Sequence, residues 1–172
     1  MDDPVREVIG PESVELVRPD TPELWGAARR LVEEYIAGLN LDLSFQDVQQ
    51  EINSLAQEYG PPEGCFLLAR SQMGFVGCGG VRRFGEAVCE MKRLYVVPGT
   101  RGQRIGRAIA ESLIAYSRDA GYESMLLDTL PSMKSAHHLY LSLGFTPTAQ
   151  YRHNPIPGAT FWRLPLGRGR FE

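Results

Sequence analysis

The stretch from Glu90 to Ala110 restricts the fold more than any other part of the chain. It reads E-M-K-R-L-Y-V-V-P-G-T-R-G-Q-R-I-G-R-A-I-A. A strand runs into a turn at Pro98-Gly99, a short Arg/Gly loop follows, and a helix starts on that loop. Such a junction aims several backbone N–H groups at one point, at the positive end of a helix dipole, and so suits a phosphate-bearing ligand. Gly102 has no Cβ and lets backbone approach a ligand closely. Gly106 falls in the first helical turn, where glycine costs about 1 kcal/mol against alanine. Arg101, Arg104 and Arg107 crowd an end that favours anions, and an anionic partner would compensate. An ordinary glycine turn with solvated arginines accounts for the same residues. No Gly-Lys-Ser/Thr follows, so this is not a P-loop, and the glycine spacing is not that of a dinucleotide fingerprint.

The rest of the chain reads as a mixture of strands and helices. Val14 to Arg18 suggests a first strand. Thr21 and Pro22 open a helix that keeps apolar spacing to about Leu39. A second helix, capped near Ser44, carries Val48, Ile52 and Leu55 inward and ends at Gly60-Pro61-Pro62. Cys65 to Arg70, Phe75 to Phe84 and Ala87 to Val97 read as strands. Gly85-Glu86 is expected as a two-residue hairpin turn between the last two. Apolar residues lie on both faces near the end of the third of these strands, which implies two covered faces or a bulge. A helix is expected from Gln103 to Ala120, closed by Gly121, then a strand from Ser124 to Asp128. Ser132 is expected to cap a helix ending at Gly144, followed by strands from Phe145 and from Thr160 to Leu166. The order is β-α-α-β-β-β-α-β-α-β-β, an α/β (α+β) domain with a mixed sheet flanked by helices.

With 172 residues, 43% of them apolar, the chain supports one domain spanning 1–172. A net charge of −3 argues against a surface that coats nucleic acid. No apolar run approaches the ~20 residues of a membrane span. The start, M-D-D-P-V-R-E, has neither a secretory apolar stretch nor an Arg/Ser-rich transit pattern. Cys65, Cys78 and Cys89 fall in no metal spacing and read as reduced, buried thiols, so a cytoplasmic location is expected.

R-G-Q-R-I-G-R-A after L-Y-V-V-P-G-T resembles the acetyl-CoA motif of the GNAT superfamily of N-acyltransferases. L-D-T followed by A-H-H-L-Y-L-S-L-G-F resembles the second half of that family's core. The resemblance spans about Phe75 to Phe145 and implies a mostly antiparallel sheet in which the strand ending at Leu94-Tyr95-Val96 bulges and splays from the Met125–Asp128 strand. Pantetheine would lie in that gap against Leu94, Tyr95 and Val96. The amides of Arg101, Gly102, Gln103, Arg104, Ile105, Gly106 and Arg107 would hold the pyrophosphate. Tyr140 matches the tyrosine that protonates the departing thiolate, and Glu90 the glutamate that removes the amine proton, often through water. Arg104 stands where most members have glycine. Met133 stands where many have asparagine, so one polar contact there is removed or passes to Ser132, Ser135 or His137.

Acyl transfer to an amine needs a proton acceptor, because an alkylammonium has a pKa near ~10, and a donor for a thiolate whose pKa is about 8.5. Tyr140 also shares an apolar helix face with Ala136, Leu139 and Leu143, where packing alone explains it. Glu90 also reads as a solvent-facing residue paired with Lys92. Asp128 is an ammonium anchor or a cap for the next turn. Glu33, Glu34, Tyr35, Asp42, Phe45 and Asp47 on the first helices, and Tyr151, Arg152, His153, Asn154 and Trp162 near the end, are candidates for recognising a small amino acid or polyamine-like amine. A homodimer is left open. The rival readings are an acyl-CoA sensor without turnover, a protein or peptide N-acetyltransferase, and a nucleotide- or phosphate-binding protein.

Overall fold

A computed structural model describes residues 14–44, 47–100 and 104–167. Seven strands form one sheet: β1 (Glu15–Val17), β2 (Cys65–Ser71), β3 (Gly74–Arg83), β4 (Val88–Val96), β5 (Ser124–Thr129), β6 (Thr146–Pro147) and β7 (Thr160–Pro165). Their spatial order is β1-β2-β3-β4-β5-β7-β6, and only β4 and β5 pair parallel. The mixed, mostly antiparallel sheet expected from the resemblance is therefore present.

Among the described residues five helices cover the two faces: α1 (Pro22–Leu39), α2 (Val48–Asn53), α3 (Leu55–Glu58), α4 (Ile105–Asp119) and α5 (Lys134–Leu143). α1 starts as its sequence indicates, with Thr21 Oγ1 accepting from the Leu24 amide at 3.2 Å and Pro22 inside the first turn. The expected single second helix is two short ones. Ser54 Oγ donates to the Gln50 carbonyl at 2.7 Å, a back-bond that bends a helix, and the chain breaks there. The cap also moves: Asp47, not Ser44, precedes α2. Nor does Ser132 cap α5, because Met133 occupies that position.

Each sheet face carries its own core. Leu67, Val81, Met91, Met125, Leu127 and Leu164 pack with Ile109 and Leu113 of α4. Phe66, Leu68 and Cys78 pack on the opposite face with Ala28, Leu31, Ile52, Leu55 and Tyr59. Leu113 is fully buried, a burial that contributes about 2–3 kcal/mol. Cys65, Cys78 and Cys89 are buried free thiols. Burial pushes the Cys65 thiol up to about 11, so it packs as a small apolar group.

Both explanations for the two apolar faces of β4 hold together. Both faces are covered, and the register also shifts between Cys78 and Gly80. Two β4 residues, Arg93 and Leu94, sit opposite Gly79 alone, and Arg93 takes φ 60°. This bulge re-aims the end of the strand. The hairpin before it is longer than its sequence suggests. Arg83 pairs with Cys89, the amides of Phe84 and Gly85 both reach the Val88 carbonyl, and Gly85 lacks the positive φ that a two-residue turn needs. At the other end Pro98-Gly99 forms the expected tight turn, with Gly99 at φ 91° and the Thr100 amide bonded to Val97.

Candidate active site

The parallel pairing of β4 with β5 stops at Glu90↔Leu126, although β4 continues to Val96 and β5 to Thr129. The strands part beyond that point, and a groove of about 870 Å³ opens from the parting. One wall is the end of β4 at Leu94, Tyr95 and Val96; the other is the start of α5 with Ser132, Met133 and Ala136. Its far end is the start of α4, at Arg104, Ile105, Gly106 and Arg107. Arg104 precedes α4 with φ 61° and no side-chain cap, and the first turn contains no acidic residue. Among the described residues its first amides have no side-chain cap, which suits an outside anion. A Cβ on Gly106 would stand 3.5 Å from Val96 Cγ2. That is ordinary contact, so the protein's own packing does not require glycine there. Arg107 bonds Glu111 and Ser142, and so ties α4 to α5 across this end.

A smaller cavity, about 40 Å³, continues from the groove into the parting of the strands. Tyr35, Leu94 and Met133 belong to both spaces; Lys92, Asp128, Asn154 and Tyr140 line the inner one. Tyr140 is buried, and its hydroxyl has no hydrogen-bond partner among the described residues. Burial, with Tyr35 and Asp128 nearby, raises its pKa far above the ordinary phenol value. Burial also pushes Tyr35 up to about 12, and its hydroxyl donates to Met133 Sδ at 3.8 Å. Asp128 Oδ2 accepts from Asn154 Nδ2 at 3.1 Å.

Glu90 lies behind this cavity rather than on its lining. It is fully buried, so the solvent-facing reading fails, and its partners are not Lys92. Oε1 accepts from Arg82 and Arg152, and Oε2 accepts from Tyr151 at 2.7 Å. Arg82 in turn bonds Glu51 and Glu58, and Arg93 bonds Glu51 at 2.7 Å. Burial pushes the Glu51 carboxyl up, but Arg93, Lys92 and Arg82 outweigh it and hold it below its ordinary value.

The structure thus brings Leu94, Tyr95, Val96, Arg104, Ile105, Gly106, Arg107 and Met133 onto one groove, with Tyr140 at its inner end. His137 is not on it; its ring faces Trp162 at 6.0 Å. Phe45, Arg101, Gly102 and Gln103 lie outside the described residues. Sequence reasoning passed over Arg93, Arg82 and Glu51, and took Lys92 only as a partner of Glu90. The available signal was a run of charges, E-M-K-R, inside a strand with apolar neighbours.

A sheet that parts between two parallel strands, with an uncapped helix start facing the parting, defines an acyl-CoA N-acyltransferase fold. The family model described as "Acetyltransferase (GNAT) family" matches residues 25–145, and the chain belongs to that family of N-acetyltransferase enzymes. A Schizosaccharomyces pombe protein described as the uncharacterized N-acetyltransferase C1271.07c is 40% identical over 160 residues, covering 92% of this chain and 98% of its own. The uncharacterized N-acetyltransferase YjgM of Escherichia coli is 27% identical, with 76% and 78% covered. A GNAT-family acetyltransferase from Staphylococcus aureus superposes with a TM-score of 0.76 over 90% of this chain and 100% of its own, at 18% identity. A Salmonella typhimurium structure described as an acetyltransferase with its cofactor acetyl-CoA reaches 0.63 over 90% and 94%, at 20% identity. The last two are likenesses of fold. Among the described residues no helix is long and apolar enough to cross a membrane.

Proposed function

We propose that the protein transfers an acetyl group from acetyl-CoA to the primary amine of a small molecule by direct attack within a ternary complex. The observation that carries this reading is the groove itself, running from the parting of β4 and β5 to the uncapped start of α4. Its residues fit the co-substrate. Leu94, Tyr95 and Val96 offer a strand edge to pantetheine. The amides of Ile105, Gly106 and Arg107 would hold the diphosphate, and Gly106 would leave it room. When bound, acetyl-CoA supplies an acetyl group activated as a thioester.

The chain's own groups then handle protons and position. Tyr140, held as a phenol by burial, donates to the departing sulphur. Asp128 draws the incoming ammonium into the inner cavity, and water there carries off the proton that the amine must lose before it attacks. The new N–C bond forms as the C–S bond breaks. Glu90 acts at one remove, by holding Tyr151 and Arg152 in place, with access to the amine only through water.

The test is a panel of amines assayed by thiol release, beside thermal melting with acetyl-CoA, CoA and ATP. Acetyl-CoA and CoA should raise the melting temperature and ATP should not, since a ligand that binds only the native state stabilises it. A melting temperature that responds to ATP alone, or an enzyme that binds acetyl-CoA yet releases thiol with no amine, overturns the reading.

A further inference from the structure

Around the inner cavity the buried and half-buried charges match one another with two exceptions. Glu51, Glu58 and Glu90 are each bonded to a guanidinium, and Arg82, Arg93 and Arg152 are each bonded to a carboxylate. Lys92 is left over. It is 6% exposed, and its Nζ has no hydrogen-bond partner among the described residues. Asp128 is the other remainder, its bonded partner being the neutral Asn154 amide. The last parallel pair is Glu90↔Leu126, so two residues further along each strand Lys92 and Asp128 stand level across the opening. Both line the inner cavity.

We propose that these two residues form a head-group site for the acceptor, and that the acceptor is an α-amino acid: its carboxylate sits on Lys92 Nζ and its amine faces Asp128, toward Tyr140. This rests on the transferase reading above and narrows its substrate class. A cavity of about 40 Å³ admits a compact head group and leaves the amino-acid side chain in the wider space beyond. A simple amine would leave Lys92 Nζ buried without a hydrogen-bond partner. A polyamine would place a second cation beside it. An amino acid satisfies both strands, because its opposite charges are one carbon apart.

The experiment compares matched pairs, an L-amino acid against its decarboxylated amine (phenylalanine with phenethylamine, leucine with isoamylamine), on wild type and Lys92→Met. Thiol release should favour the amino acid in kcat/KM by about ten- to a hundredfold, the worth of a charge-assisted hydrogen bond. In Lys92→Met that ratio should collapse toward one through KM. A second readout does not need turnover: with CoA present, the amino acid should raise the melting temperature of wild type and not of the variant. Equal use of both members of each pair by wild type overturns the proposal while leaving the transferase reading intact. A carboxylate-dependent melting shift without thiol release supports the head-group site and sinks that reading instead. If Lys92→Met lowers kcat alike on both members, Lys92 is a proton acceptor and not an anchor, and the proposal falls.

Discussion

Tyr140 and Lys92 show opposite ways in which burial prepares a side chain. Burial keeps Tyr140 protonated, so replacing it with phenylalanine should lower kcat by about a hundredfold or more with little change in the KM for acetyl-CoA. Steady-state kinetics check this; an unchanged kcat would reduce Tyr140 to packing against Phe145, its ring neighbour at 5.6 Å. Burial acts on Lys92 in the other direction. It pulls the ammonium down to about 8; Glu90 and Asp128 raise it, and Arg93 and Arg152 lower it further. Below about pH 8 the folded and unfolded chains both carry the proton, so the cost of the buried charge is fully present. Between about 8 and the ordinary 10.5 only the unfolded chain keeps it, and wild-type stability rises with pH across that window. Lys92→Met should therefore be more stable than wild type at pH 7 by on the order of 3 kcal/mol, and the advantage should fade toward pH 10. Urea titrations at the two pH values read it directly. The tyrosine was legible in the sequence because its motif is local. Lys92 was not, because its orphan state depends on where the partners of six other charges lie.

At the scale of elements, what could be read depended on how far each signal reaches. α1 is placed by its own cap and proline, and the Pro98-Gly99 turn by its own two residues. The bulge in β4 was visible as apolar residues on both faces. The hairpin failed because Gly85-Glu86 carries the turn composition without the backbone conformation; the Val88 carbonyl takes two amides and lengthens the loop. On the proposed reading, the helix start of α4 is where an element and a ligand compete for the same residue. Gly106→Ala puts a Cβ at ordinary distance from Val96 and adds about 1 kcal/mol of helix propensity. The variant should melt at or above the wild-type temperature while its KM for acetyl-CoA rises about tenfold, equivalent to roughly 1.4 kcal/mol. A variant that binds acetyl-CoA as tightly as wild type would show that the co-substrate does not approach this turn.

Across the whole molecule, the half of the site that was legible is contiguous in sequence. Leu94, Tyr95 and Val96 on the groove wall end one strand, and Ile105, Gly106 and Arg107 open the helix that follows it. The inner cavity is assembled from α1, β4, β5, α5 and the segment between β6 and β7, and no local pattern announces that assembly. Glu90 sits at its centre of connection: Arg82 reaches it from the neighbouring strand, while Tyr151 and Arg152 reach it from 61 and 62 residues away. This geometry separates two roles for the same carboxylate. As a keystone of paired charges, Glu90→Gln leaves Arg82 and Arg152 short of counter-charge in a buried place, which should cost about 3 kcal/mol, or roughly 6–12 °C in melting temperature for a chain of this size. Catalysis by the surviving folded enzyme should then drop only modestly, because in the proposed mechanism the amine meets Asp128 and water first. As a base acting directly on the amine, Glu90 would give the reverse pattern: an almost unchanged melting temperature and a kcat lower by about a hundredfold or more. Thermal melting and kinetics on the one variant, measured below its melting transition, decide between the two, and the four hydrogen bonds that already occupy the carboxylate favour the first.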